Sequence, residues 1–281
     1  MNETPTPLRL LVVIPTYNEA EYVAEHLAAV RALPFTPDIL VVDDQSPDGT
    51  GEIVETLGAA DPAIHLLTRT GPRGLGPAYR DGFRWGLDAG YEVIVQMDCD
   101  GSHRPVDMAG LVSVAQTGKL ALGSRGVAGA STEGWDEKRV MLSRLGNVYV
   151  RLACGVEIHD ITGGYRAWPA ACLRRIDLDA IRSTGYAFQI EMALAALMAG
   201  WPIEEVPITF VERRLGESKM SGRIIWEAMW RTTLWGLRLR TSSEQRRRLK
   251  PEAPEPHASD AVIGLPEFQS VADGEDEDTI V

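Results

Sequence analysis

EVIVQMDCDGSH, residues 92–103, joins an apolar run that reads as a buried strand to an abrupt polar break at Asp98-Cys99-Asp100. Two carboxylates this close on a loop repel each other unless a cation sits between them. The pair therefore points to a hard divalent metal, Mg²⁺ or Mn²⁺, held by oxygen. Such a metal points in turn to a phosphate ligand. A lone Asp-x-Asp would decide little, because strand-end carboxylates also cap helices and solvate turns. Two further segments repeat the form: LRLLVVIPTYNEAE at 8–21 and DILVVDDQSPDGTGE at 38–52. Ligands of an open parallel sheet sit outside the carboxyl ends of its strands. Pro15, Tyr17, Glu19, Asp43, Asp44, Asp98 and Asp100 are thus expected to meet on one rim.

Working outward, strand-like runs at about 9–15, 38–43, 63–68, 92–97 and 119–123 alternate with helical patterns at 19–32, 50–59, 75–89 and 105–117. This βαβ series predicts an α/β fold with a mostly parallel central sheet. Ser46-Pro47-Asp48-Gly49 is turn chemistry, Thr50 is placed to cap the next helix, and Gly90 to end the third. Beyond 124 the pattern changes. A Gly/Ser-rich loop at 123–134 leads to a helix around 139–153, a Gly163-Gly164 bend, a helix at 186–199 and a strand at 203–210. These are expected to form the second half of one domain and to cover the site. GPRGLG at 71–76 has the wrong glycine spacing for a dinucleotide fingerprint, and helix packing explains it more simply.

With 281 residues and 44% hydrophobic content, the chain has material for one large α/β domain or two small ones. Cys99, Cys154 and Cys172 are odd in number and lack CxxC spacing, which argues against a disulfide framework or a zinc site and for a reducing compartment. The start, MNETPTPLRL, lacks signal-peptide features, and no apolar stretch approaches the ~20 residues of a membrane span. The expected location is the cytoplasmic side. Net charge is −12, but residues 251–281 hold nine acidic groups and no Lys or Arg, leaving −3 for the first 250. That Pro-rich acidic tail has too few large apolar groups to offset ordering entropy and is expected to be disordered. Just before it, 223–250 carries eight basic and two acidic residues.

Taken together, IPTYNE (14–19), VVDDQSPDGT (41–50), MDCDGSH (97–103), GSR (123–125), TGGYR (162–166) and RRLGESK (213–219) resemble glycosyltransferase family 2, and within it the polyprenol (dolichol) monophosphomannose synthases. The resemblance runs from about residue 9 to 240. It implies a GT-A fold (Rossmann-like, nucleotide-diphospho-sugar transferase), a GDP-mannose donor, a polyprenyl phosphate acceptor and no nucleic acid partner. Pro15, Tyr17, Glu19, Val42 and Asp44 match nucleoside-binding positions. Asp98 and Asp100 match metal and diphosphate positions, with Cys99 between them contributing backbone. Ser102 stands where relatives often have a Gln that completes the metal shell; being shorter, it leaves room for a water. Arg213 and Lys219 match cations at the nucleotide phosphates, and Arg125, Arg139 and Ser143 match positions that bind the acceptor phosphate.

The implied chemistry needs no protein base. A monoester phosphate has a second pKa of ~6, so the acceptor already carries an anionic oxygen at neutral pH. Arg125 and Arg139 would offset repulsion between the two phosphate groups. The resemblance also implies inversion at the sugar. Asp160 lies near the place where other members hold a base; here a positioning role, paired with Arg166, is expected. His103 reads as a polar loop residue, Glu191 as either a site contact or an Arg-paired structural carboxylate, and Tyr17 as a stacking platform for guanine. The loop 212–222, with Gly216 and Gly222 as pivots, is expected to order over bound nucleotide.

A polyprenyl phosphate lies in a bilayer. In GRIIWEAMWRTTLWGLRLR, residues 222–240, Ile225 and Met229, and Trp226 and Trp230, recur at helical spacing among Arg223, Arg231, Arg238 and Arg240. Such a helix suits the membrane interface, with Arg246, Arg247, Arg248 and Lys250 adding attraction to anionic lipid. An ordinary core helix with a charged edge is the alternative. The resulting division is a flexible 1–8, a catalytic 9–221, a membrane-proximal 222–250 and a tail 251–281. An integral membrane partner protein stays open. So do a sibling synthase using UDP-glucose or another sugar nucleotide, and a non-catalytic nucleotide-sugar binding subunit.

Overall fold

Val, Ile and Leu fill the central strands, and Leu11 to Ile14 and Ile39 to Val42 are all wholly buried, as strands covered on both faces require. A computed structural model describes residues 8–183, 185–212 and 229–237. Its main sheet contains β1 (Leu10–Thr16), β2 (Asp38–Asp43), β3 (Ile64–Thr68), β4 (Val93–Gln96), β5 (Leu120–Ser124), β7 (Arg166–Pro169) and β8 (Ile203–Pro207), in the order β3-β2-β1-β4-β7-β5-β8. All neighbours are parallel except β7, which runs antiparallel to both β4 and β5. A second sheet pairs β6 (Ser131–Glu133) with β9 (Thr209–Val211).

The period-2 alternation of the strands sorts the core into two layers. On one face, Leu11, Val13, Leu40 and Val42 pack with residues of α3 (Leu75–Asp88), α5 (Glu137–Cys154), α6 (Ala170–Arg175) and α7 (Tyr186–Met198). On the other, Val12, Ile14, Ile39 and Val41 pack under α1 (Val23–Arg31), α2 (Thr50–Ala60) and α4 (Met108–Gln116). Helix α3 lies unusually close to the sheet. A Cβ on Gly82 would sit 2.4 Å from Val13 Cγ1, and one on Gly86 2.7 Å from Ile94 Cδ1, so only glycine fits at these two contacts.

The expected βαβ elements are all present, with differences at their ends. Thr50 is not a cap: Gly49 holds that place at φ 90°, and Thr50 Oγ1 donates to Asp48 Oδ1 (2.6 Å) while accepting the Glu19 N–H (3.0 Å). The expected strand 203–210 is two strands, parting at Ile208, whose N–H bonds Ser124 and whose carbonyl accepts from Ser131. β7 has no counterpart in the sequence reading because four residues ending in Pro, after a Gly-Gly bend, read as loop. Residues 229–237 are helical and lie along α5: Tyr149 Oη bonds Met229 O (3.2 Å), and a Cβ on Gly236 would meet Ala153 O at 2.2 Å.

Candidate active site

The carboxyl ends of β1, β2 and β4 form one rim, but its carboxylates are not equivalent. Asp43 is spent inward, accepting from Thr16 Oγ1 (2.9 Å), Ser46 Oγ (2.6 Å) and Ser46 N (2.8 Å), which latches the turn after β2. Asp44 accepts the Gly74 N–H (2.7 Å) and pairs with Arg69, which also reaches Asp81 (2.7 Å). Beside them, the Tyr17 hydroxyl accepts from Arg73 (2.7 Å), whose guanidinium lies 4.6 Å from the ring centre. The segment 71–76 is therefore more than helix packing. Gly76 does abut Phe188 and Ser183, but Arg73 and Gly74 reach Tyr17 and Asp44. Pro15 and Glu19 flank Tyr17 at the end of β1, where the Glu19 carbonyl accepts from Tyr22 and Val23. The side chain of Val42 is wholly buried beneath Gly82 and does not reach the rim.

After β4 the chain turns sharply through Gly101 (φ 76°), a conformation that favours glycine. Asp98 Oδ1 accepts from Tyr79 Oη (2.7 Å), and Asp100 Oδ1 accepts the Ser102 N–H (3.0 Å). Both carboxylates are thus oriented by neutral donors. Burial, then Asp98, push the Tyr79 hydroxyl well above its ordinary pKa, which keeps it a donor. Cys99 turns its side chain into the core, and burial raises its thiol likewise, so it offers the turn only backbone. Ser102 is buried as well, and its carbonyl accepts from Val211 (3.1 Å).

His103 is a structural pin, not a solvated loop residue. Burial lowers its pKa against the pull of Asp98 and Asp100, and its Nδ1 accepts the Asp98 N–H (3.0 Å) while the ring stacks on Tyr165 at 4.8 Å. A neutral imidazole adds no positive charge beside the carboxylate pair. No group of three or more His, Cys, Asp or Glu among the described residues is arranged to hold a metal. Two carboxylates on one turn fit a hard ion that keeps its other positions for phosphate oxygens and water.

Behind this turn, α1 buries His26, whose Nε2 has no partner among the described residues. Burial, reinforced by His103 and opposed by Asp100, lowers its pKa from 6.5 to about 4. The folded state therefore refuses a proton that the unfolded chain accepts below 6.5. Stability is lost as pH falls from 6.5 toward 4, by up to ~1.4 kcal/mol per pH unit. His26→Leu should remove that loss. Urea unfolding at pH 7.5 and 4.5 is expected to show the variant gaining about 2 kcal/mol on the unaltered chain at the lower pH; parallel behaviour at both would contradict it.

The second cluster lies at the end of β5. Arg125 grips Asp160 through Nε (2.6 Å) and a terminal nitrogen (2.7 Å), and its own backbone N–H joins them (2.9 Å). The expected pairing of Asp160 with Arg166 is thus wrong. Arg166, fully buried, donates to the carbonyls of Gly163 (2.9 Å), Gln189 (2.8 Å) and Ile161 (2.7 Å). Burial alone would raise the Asp160 carboxyl, but Arg125 outweighs it and holds the group below the usual range. Arg139 opens α5, where its N–H is capped by Asp136 (2.7 Å), and its guanidinium meets Glu212 (2.7 Å). Ser143 follows one turn later, and Asn147 ties its carbonyl (3.2 Å) to Asp160 (3.1 Å). The structure therefore sets Arg125 beside α5, the helix that carries Arg139 and Ser143. Among the described residues Glu191 has no Arg side chain as its partner; it accepts the N–H groups of Arg182 (3.2 Å) and Ser183 (2.8 Å). Arg213, Lys219, the 212–222 loop beyond Glu212 and the basic run 238–250 lie outside the described residues.

The model of the family described as Glycosyl transferase family 2 matches residues 11–175. An undecaprenyl-phosphate mannosyltransferase of Micrococcus luteus is 51% identical over 233 residues, covering 83% of this chain and 96% of the relative. A polyprenol monophosphomannose synthase of Mycolicibacterium smegmatis is 49% identical over 232 residues, covering 82% and 88%. Among solved structures, the mannosyltransferase PcManGT of Pyrobaculum calidifontis, in complex with GDP-Man and Mn²⁺, superposes with a TM-score of 0.55 at 19% identity, over 87% of this chain and 74% of that one. Glucosyl-3-phosphoglycerate synthase of Mycobacterium tuberculosis gives 0.54 at 19% identity, over 82% and 78%. The structural likeness carries the fold, and the sequence matches carry the family. With its mostly parallel sheet and its paired carboxylates at the end of β4, the chain belongs to glycosyltransferase family 2 and is a glycosyltransferase of the GT-A fold.

Proposed function

We propose that the chain transfers mannose from GDP-mannose to a polyprenyl phosphate, with inversion, giving a polyprenyl β-D-mannosyl phosphate. The observation that carries the reading is a carboxylate pair after β4 and an arginine pair contributed by the end of β5 and by α5, in a chain half identical to polyprenyl-type mannosyltransferases over most of its length. On this reading Pro15, Tyr17, Glu19 and Asp44, with the Cys99 backbone, hold the nucleotide, and Arg213 and Lys219 meet its phosphates. Asp98 and Asp100, with Ser102 or a water beside it, would hold Mg²⁺ or Mn²⁺, which when bound takes up negative charge on the departing diphosphate. Arg125 and Arg139 meet the acceptor phosphate as cations that do not titrate, and Ser143 adds a hydroxyl. Asp160 is unsuited to act as a base, since both its oxygens are committed to Arg125; it positions that arginine.

The same reading places the enzyme peripherally on the cytoplasmic face of a membrane. Helix α5 leaves Met141, Leu142, Leu145, Val148 and Leu152 exposed, the last at 71%, and the helix beside it leaves Met229, Trp230, Leu234 and Leu237 exposed. These exposed apolar residues extend to α5 the role expected of 222–250, and Lys138 and Arg144 are exposed on the same helix. Rows of this kind suit a bilayer interface. Arg139 and Ser143 sit on the same helix, so a phosphate at headgroup depth would reach them without leaving the membrane. No helix among the described residues is long and apolar enough to cross it.

Purified protein incubated with labelled GDP-mannose, Mg²⁺ and a short polyprenyl phosphate should send label into the organic phase, and EDTA should abolish it. A parallel reaction with UDP-glucose should stay blank. Glucolipid, or product indifferent to EDTA, would overturn the donor or the metal respectively.

A further inference from the structure

Arg125 and Arg139 come from different elements, yet one side chain touches both guanidinium groups. The Trp135 ring centre lies 5.3 Å from the Arg125 guanidinium carbon and 4.4 Å from that of Arg139. Phe210 of β9 braces the indole edge-on at 5.2 Å and itself lies 5.0 Å from Arg125. Phe210 also packs edge-on against His103 at 5.6 Å, and the backbones of the two residues form a bridge. The aromatic line therefore runs from the arginine pair to the residue that holds the Asp98 backbone. Two like charges drawn to one ring repel each other, and the negative π face of an indole offsets part of that cost. One polar atom in this assembly is left over: Trp135 Nε1 is buried and has no hydrogen-bond acceptor among the described residues. A buried donor without a partner is costly and uncommon in native proteins.

We infer that Trp135 is an acceptor-binding residue, whose ring seats Arg125 and Arg139 and whose Nε1–H donates to an oxygen of the acceptor phosphate. The inference rests on the proposed reading of the two arginines as the acceptor-phosphate site. A phosphate monoester dianion offers more acceptor sites than two guanidinium groups fill, and a neutral donor beside them adds direction without adding charge. Trp135→Phe retains an aromatic face for the arginines and deletes the donor. Trp135→Leu deletes both.

Steady-state transfer to farnesyl phosphate separates the two contributions. Trp135→Phe should raise the acceptor KM at least tenfold while leaving the GDP-mannose KM and kcat within about twofold, as expected for loss of one hydrogen bond to a charged group. Trp135→Leu should raise it further. A direct readout comes from ¹⁵N-indole-labelled protein, in which the signal absent from Trp135→Phe should move when farnesyl phosphate is added and stay in place with farnesol. An acceptor KM unchanged in Trp135→Phe, or an indole signal indifferent to the phosphate, would overturn the inference while transfer by the unaltered chain upheld the wider reading. Failure of the unaltered chain to use any polyprenyl phosphate would overturn both. Equal thermal midpoints of the three proteins exclude misfolding as the cause.

Discussion

Asp100→Asn is expected to lower kcat/KM for mannosyl transfer by about a thousandfold, close to 4 kcal/mol of transition-state stabilisation. The substitution preserves size and leaves an oxygen able to accept the Ser102 N–H, so the turn through Gly101 should survive. What disappears is one of the two charges that the proposed cation needs. The neutral donors on Asp98 and Asp100, Tyr79 and the Ser102 N–H, cannot make good that loss. Raised metal concentration should recover part of the activity, because a site with one carboxylate binds a hard ion more weakly without abolishing it. The check is a metal titration of the initial rate for both proteins. Activity of Asp100→Asn within threefold of the unaltered chain at every metal concentration would sink the metal-centred reading.

Arg166→Met should cost about 3 kcal/mol of stability or more, and lower the thermal midpoint by roughly 10 °C. Methionine matches the length of arginine and removes a buried charge, and taken alone that change is favourable. Against it stand the carbonyls of Gly163, Gln189 and Ile161, which lose their donor in a place water does not reach. Each stranded carbonyl costs about 1–3 kcal/mol. Burial lowers the Arg166 pKa to about 9, so the side chain is still charged at neutral pH and all three bonds are charge-assisted. The bend it anchors also carries Gly164, where a Cβ would lie 3.4 Å from Asp98 Oδ2. Activity should therefore fall below what the folded fraction alone explains. Urea unfolding measures the first effect, and a loss under 1 kcal/mol would show that the carbonyls find other partners.

Two kinds of error mark the limits of reading this chain without its fold. Asp43 and Asp44 are adjacent and chemically alike, and only the Ser46 turn and the Gly74 N–H determine that one latches a loop while the other faces the strand end beside Tyr17. Asp160 was matched to Arg166, six residues away in sequence, whereas its partner is Arg125, thirty-five away. The choice is made by β7: its insertion between β4 and β5 buries Arg166 among backbone carbonyls and leaves Asp160 beside the end of β5. Nothing in a four-residue strand ending in Pro announces that insertion. Tyr79, Trp135 and Phe210 do not stand out in the sequence, and His103 reads there as a polar loop residue, for a related reason. Each works through an aromatic ring or a single hydrogen bond to a distant element, and such contacts carry no spacing.

By itself the sequence determined the βαβ order, the rim of strand ends, the carboxylate pair and the family, because hydrophobic periodicity and motif residues act over short stretches that are written consecutively. The tertiary structure alone decided which carboxylate pairs with which arginine, which histidine stays neutral, and that α5 and the helix at 229–237 touch while each leaves apolar side chains exposed. Those outcomes depend on burial and on distances between elements far apart in the chain, and these exist only once the sheet has closed around β7.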